Sequence, residues 1–109
     1  MVTVKEYIDD NGNSPFARWF DNLDPRVAAK VATALLRMEQ GNFSNAKGVG
    51  VGVSEYKIDH GPGYRVYFGR DGEKLVILLG GGTKKRQQKD IETAKALWQD
   101  YKKRKKQER

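Results

Sequence analysis

Tyr64-Arg65-Val66-Tyr67-Phe68-Gly69-Arg70, then Asp71-Gly72, then Lys74-Leu75-Val76-Ile77-Leu78-Leu79 is the stretch whose reading decides the fold. β-Branched and aromatic residues fill both arms, and Asp-Gly supplies the left-handed backbone that a tight hairpin needs. The stretch therefore predicts two antiparallel strands, at residues 64–70 and 74–79. Residues 53–59 read as a third strand, joined to them by Gly61-Pro62-Gly63. Just upstream, residues 42–52 are polar and glycine-rich and read as a loop. Gly48-Val49-Gly50-Val51-Gly52 does not fit a dinucleotide fingerprint and no helix follows it, so no phosphate site is expected there. Just downstream, residues 80–86 look too rich in glycine and charge for regular structure.

Further out, Val2, Val4 and Ile8 share one side of a period-2 pattern, so residues 2–8 read as a strand, followed by a turn at 9–13. Ser14-Pro15 is a helix cap followed by proline at the first helical position, and Phe16, Trp19, Phe20 and Leu23 form one apolar face. Asp24-Pro25 repeats the signal. The second helix runs to Gln40, buries Val27, Val31, Leu35 and Met38, and stops at Gly41, giving an αα-hairpin. Asp90 is expected to cap a last helix whose buried side carries Ile91, Ala94, Trp98 and Tyr101. The order is β-α-α-β-β-β-α: an α+β fold, residues 1–109 forming a single domain around a mostly antiparallel sheet.

A chain of 109 residues is too short for two cores. Its longest apolar run, Leu75 to Leu79, is strand-sized, so no membrane span is expected. Met1–Lys5 lacks a signal-peptide layout, and with no cysteine there is neither disulfide framework nor thiol nucleophile; a cytoplasmic location is expected. Charge is more telling. Residues 84–109 hold eleven Lys/Arg against four Asp/Glu, and so account for the whole net charge of +7. That polarity suits a polyanion: RNA, DNA, the ribosome or an acidic segment. Residues 102–109 read as a basic tail, whose run Lys102, Lys103, Arg104, Lys105, Lys106 suits either RNA binding or plain solubility. Arg86 and Lys89 join the RNA-binding candidates.

Alternation places Tyr64, Val66 and Phe68 on one face of the sheet and Arg65 and Tyr67 on the other; Tyr56 and Ile58 likewise oppose Lys57. If the apolar sets pack on helices, Lys57, Arg65 and Tyr67 emerge on a wet face, towards which Lys84, Lys85 and Arg86 return. Cations and a phenol on one face suit a phosphate polymer. RNA brings its own 2′-OH nucleophile, so such a site need only move protons and stabilise a phosphorane. Arginine does the second task; a lysine does the first only if burial and neighbouring cations lower its pKa. No cofactor or metal is required, and no carboxylate cluster suggests one. Taken singly, each of these cations also fits a solvated strand face, and Arg65 fits an ion pair with Asp59. His60, the only histidine, fits a turn; Trp19 and Trp98 fit the core.

The strand 64–68, the apolar strand 75–79, Gly80-Gly81-Gly82-Thr83-Lys84-Lys85 and Asp90-Ile91-Glu92-Thr93-Ala94 together resemble the "addiction module killer" proteins, HigB-like members of the RelE/ParE superfamily. Phe16-Ala17-Arg18-Trp19-Phe20 with Leu23-Asp24 resembles the same group. The resemblance implies a RelE-like, microbial-ribonuclease-like fold. It also implies a type II toxin that cuts mRNA in the ribosomal A site, neutralised by an antitoxin that is often a helix-turn-helix protein. It puts Arg65 in the place of the phosphate-stabilising arginine, and Lys57, Lys84 and Lys85 among the basic residues of the site. Several relatives use a histidine or tyrosine near the chain end as proton donor, whereas Tyr101 here falls on a buried helix face. Gyrase-inhibiting members share the fold without catalysis, and a non-catalytic, phage-derived RNA-binding protein is a third alternative.

Overall fold

A computed structural model of the chain describes residues 1–108. Its elements are β1 (Thr3–Glu6), α1 (Pro15–Asp21), α2 (Pro25–Glu39), β2 (Ala46–Gly50), β3 (Val53–Ile58), β4 (Tyr64–Arg70), β5 (Leu75–Thr83), a 3₁₀ turn (Lys84–Arg86) and α3 (Gln87–Gln107). The five strands form one sheet in the order β1-β5-β4-β3-β2. β1 pairs parallel with β5, and every other pairing is antiparallel. The α+β class and the mostly antiparallel sheet are as the sequence predicts, and the architecture is consistent with a RelE-like fold.

Both helix caps of the αα-hairpin form. Ser14 Oγ accepts from Ala17 N–H at 3.0 Å and Asp24 Oδ1 from Arg26 N–H at 2.8 Å, each just ahead of a proline. The hairpin covers one face of the sheet, where Phe16, Val27, Val31, Ala34 and Met38 bury Tyr56, Val66, Phe68, Val76 and Leu78. Leu35 only flanks this core, and Ala34 takes the inner position.

The opposite face is not wet. α3 lies on it, and Ile91, Ala94 and Trp98 form a second core with Tyr7, Val53, Tyr67, Ile77 and Leu79. An unbroken apolar strand such as Leu75–Leu79 is what a sheet buried on both faces requires. Tyr7 turns inward to this core while Ile8 is exposed, so the first strand ends earlier than its period-2 pattern suggests.

Three boundaries also differ from the sequence reading. The expected loop at 42–52 contains β2, an edge strand whose glycines serve the turn that follows: Gly50 and Gly52 have φ of +114° and +87°, and Gly52 sits against the Trp98 indole. β5 continues through Gly80-Gly81-Gly82 to Thr83, which pairs with Tyr64. Here glycine serves close approach rather than freedom. A Cβ at Gly81 would overlap the Trp19 ring, and one at Gly82 would overlap the Asp90 carboxylate. A register shift opposite Tyr67 and Phe68 re-aims this last part of β5. Finally, α3 starts at Gln87, so Asp90 lies in its first turn and is not its cap.

Candidate active site

Strand register assembles the site in two neighbouring rows on the α3 face. One row is Lys57–Arg65–Gly82 across β3, β4 and β5; the next is Lys47–Glu55–Tyr67–Gly80 across β2 to β5. Because the β5 member of the first row is Gly82, the first turn of α3 comes down close to the sheet there, with Asp90 against Gly82 and Gln87 donating to Glu55.

At the centre is a buried ion pair. Arg65 is 6% exposed and Glu55 2%. Arg65 Nε lies 3.3 Å from Glu55 Oε2, and Lys47 Nζ lies 3.5 Å from Oε1. Gln87 Nε2 donates to both oxygens of the carboxylate at 3.1 Å. The alternative partner Asp59 is not used. The guanidinium keeps Nη1 buried with no hydrogen-bond partner. Tyr67 Oη and Asp90 Oδ2 are likewise buried and unpartnered. Burial, then the Glu55 and Asp90 charges, pushes the Tyr67 phenol up to about 12. Burial also raises the Asp90 carboxyl, against the lowering effect of Arg86 and Lys89. Among the described residues, Trp98 Nε1 is a fourth such atom on the α3 face, beside those of Arg65, Tyr67 and Asp90, and each is buried without a protein hydrogen-bond partner.

The site opens beside α3 into a cleft of about 430 Å³ lined by Lys47, Glu55, Lys57, Asp59 and Arg65, with Ser44–Ala46 at its edge. Of the residues singled out in the sequence, the fold brings Lys57 and Arg65 together. Tyr67 shares their face but is only 1% exposed and lies beneath α3, so it does not stand on an open surface. Lys84 is adjacent, its N–H donating to the Gly63 carbonyl at 3.2 Å. Lys85 and Arg86 are exposed on the same turn and Lys89 on the first turns of α3. Lys57, Lys84 and Lys85 are all exposed. His60 is a turn residue, its ring 6.5 Å from that of Tyr64.

Lys102 to Lys106 are not a tail. They form the last turns of α3, roughly 22 Å along the helix from Gln87 at 1.5 Å per residue. Arg104 donates to Asp100 and to the Ile8 carbonyl at 2.8 Å, and Lys105 pairs with Asp71. Lys102, Lys103 and Lys106 remain exposed.

The family model of phage-derived Gp49-like proteins (DUF891) matches residues 18–105, a span that includes both rows. The chain belongs to this Gp49-like family. The family is associated with addiction modules and RelE-like toxins. An uncharacterized protein of Haemophilus influenzae is 44% identical to the Gp49-like chain over 86 residues, covering 78% of this chain and 87% of its own length.

Four residues around Arg65 in the Gp49-like chain escape a sequence reading that follows cations: Lys47, Glu55, Gln87 and Asp90. Glu55 carried a usable signal, since it lies two residues before Lys57 on the same strand and so faces the same way. Lys47 was hidden by the glycines around β2, and Gln87 by the late placement of the α3 start.

Proposed function

We propose that this Gp49-like chain is the toxin of a type II toxin–antitoxin pair, from the HigB-like branch of the RelE/ParE superfamily, and that it cuts mRNA on the ribosome at Arg65. The observation that carries the reading is the held guanidinium. Its Nε faces a buried carboxylate, its Nη1 has no partner, and its side chain lines an open cleft with Lys47 and Lys57. A cation anchored from behind cannot swing away from a phosphate, and such preorganised charge is what stabilises a phosphorane.

RNA supplies the nucleophile. Its 2′-OH attacks the adjacent phosphorus and gives its proton to water in the open cleft, and the bond to the 5′ oxygen breaks as that oxygen takes a proton from water. The products are a 2′,3′-cyclic phosphate and a 5′-hydroxyl. Arg65 holds the non-bridging oxygens, while Lys57, Lys84 and Lys85 offset neighbouring phosphates at the rim. Tyr67, buried and held protonated, supports the floor and does not move protons. Arg86, Lys89 and the exposed lysines of the α3 end contact phosphates further away. The partners are the ribosome, mRNA and a helix-turn-helix antitoxin, all in the cytoplasm, and the chemistry calls for no cofactor.

The test is to add the purified chain to ribosomes translating a defined mRNA and to map the new ends. Cuts inside the coding region with cyclic-phosphate ends are expected, slowed by about 10²–10³-fold in Arg65→Lys, the usual loss when one oxyanion-binding group is misplaced. Uncut mRNA in the presence of folded protein, or cuts leaving a 3′-hydroxyl, would refute the reading.

A further inference from the structure

The Arg65 cleft does not end at the sheet edge. β2 begins at Ala46, and the last backbone bond on that side of β3 runs from Lys57 N–H to the Asn45 carbonyl at 3.1 Å. Past that point lies a second cleft, of about 290 Å³, on the other side of the sheet between α2 and β3. Asn45, Lys57 and Asp59 line both. The far wall of the second cleft carries Lys30, Thr33 and Arg37 of α2.

Arg26, Lys30, Thr33 and Arg37 are spaced by four, three and four residues, so they form one stripe along the exposed side of α2. From Pro25 to Met38 the helix contains no acidic residue. Among the described residues, no ion pair engages Arg26, Lys30 or Arg37. The helix dipole favours Arg37 in the last turn but opposes Arg26 in the first, so helix stability does not account for the stripe. Among the described residues, the acids lining the two clefts are Glu55, which faces Arg65, and Asp59.

Resting on the reading of the Arg65 cleft as an RNA site, we propose that the single-stranded RNA continues from Arg65 over Lys57 and onto α2, where Lys30 and Arg37 hold its sugar–phosphate backbone as a second subsite. The groove binds a strand by its charge spacing and does not read its bases. Lys30 to Arg37 covers about 10 Å of helix, so the subsite adds contacts only for strands long enough to leave the first cleft.

Binding of oligouridylates of about four and about twelve nucleotides, across a salt series, tests this with the full chain. In Lys30→Gln/Arg37→Gln the long strand should bind at least tenfold more weakly at low salt. Its log–log salt slope should fall by about 1.4, two phosphate contacts at about 0.7 each. The short strand should bind as it does to the wild type, whereas Arg65→Ala should weaken both. A double variant that binds both lengths like the wild type, while Arg65→Ala does not, overturns the second subsite and leaves the Arg65 reading standing. Equal loss for both lengths also overturns it, because the two cations would then belong to the first cleft. Unchanged RNA affinity with lost affinity for poly-glutamate assigns the stripe to an acidic protein partner, against the proposal. If neither strand binds the wild type, or Arg65→Ala changes nothing, the functional reading itself fails. Thermal melting of the double variant should match the wild type, since both side chains are exposed.

Discussion

A guanidinium stripped of water on one side and faced by a carboxylate on the other responds differently to each substitution. Arg65→Ala leaves Glu55 buried without its strongest partner, a loss that typically costs about 3–5 kcal/mol. Adding Glu55→Gln removes the stranded charge, so the double variant should have a higher urea midpoint than Arg65→Ala alone; equal midpoints would mean the pair is not coupled. Arg65→Lys keeps the charge but loses the planar fork, and should therefore lose cleavage far more than stability. At Tyr67 the sign runs with pH. Its phenol is pushed up to about 12 in the folded chain, above an unfolded value of about 10. Its contribution is therefore complete below pH 10 and is lost as pH climbs through 12. Tyr67→Phe should flatten the alkaline fall in stability and shift it by less than about 1 kcal/mol at pH 7, because the hydroxyl has no partner to lose. Tyr101, also raised to about 12 by burial and its bond to Asp71, keeps part of the alkaline fall in the variant. Superimposable pH–stability curves for Tyr67→Phe and wild type would contradict the assignment. Alternation alone places Lys57 and Arg65 on one face. It does not pair Arg65 with Glu55, because that needs the β3–β4 register, which is set by the turn and by packing on both faces.

At the scale of elements, each boundary was legible where a local signal suffices and hidden where a tertiary contact decides. The capped starts of α1 and α2 are written in Ser14-Pro15 and Asp24-Pro25, and both form. The glycines of β5 look like a loop because glycine in a strand is unfavourable on its own; what makes them a strand is Trp19 and Asp90 lying against them. Gly81→Ala should therefore behave as overpacking, destabilising by roughly 1–3 kcal/mol, whereas Gly48, with open space around it and no left-handed φ, should accept alanine. An unchanged melting temperature would show that Trp19 moves aside freely. The basic end of α3 divides in the same way. Lys102, Lys103 and Lys106 are exposed, so replacing them with glutamine should weaken ribosome association and flatten its salt dependence without destabilising the fold. Arg104 ties α3 to Ile8 and Asp10 and should instead register in stability. A large fall in single-turnover cleavage at saturating ribosome for the lysine variants would move the site from Arg65 towards this end.

The whole molecule places two cationic regions at opposite ends of α3 and a third along α2, while the covered faces of the sheet hold the two cores. A toxin that only wedges into a protein such as gyrase needs shape and apolar contact; it has no need for a buried, anchored arginine opening into a cation-lined cleft. That difference sets the cellular prediction. Induction of the chain should deplete translated mRNAs within minutes, with cuts inside reading frames, and should leave chromosomal DNA unbroken. Arg65→Lys, which keeps a positive charge at this position, should abolish arrest while still associating with ribosomes. Gyrase poisoning would reverse each sign: mRNA intact, DNA breaks accumulating, resistance in cells with altered gyrase, and arrest indifferent to Arg65→Lys. Weak cutting of naked RNA is compatible with the first outcome, because under the proposed reading a site of one held arginine and solvated lysines would take its remaining alignment from a ribosome-bound strand. Intact transcripts in induced, translating cells containing folded protein would rule it out, and would point to the surfaces of the fold as binding faces alone.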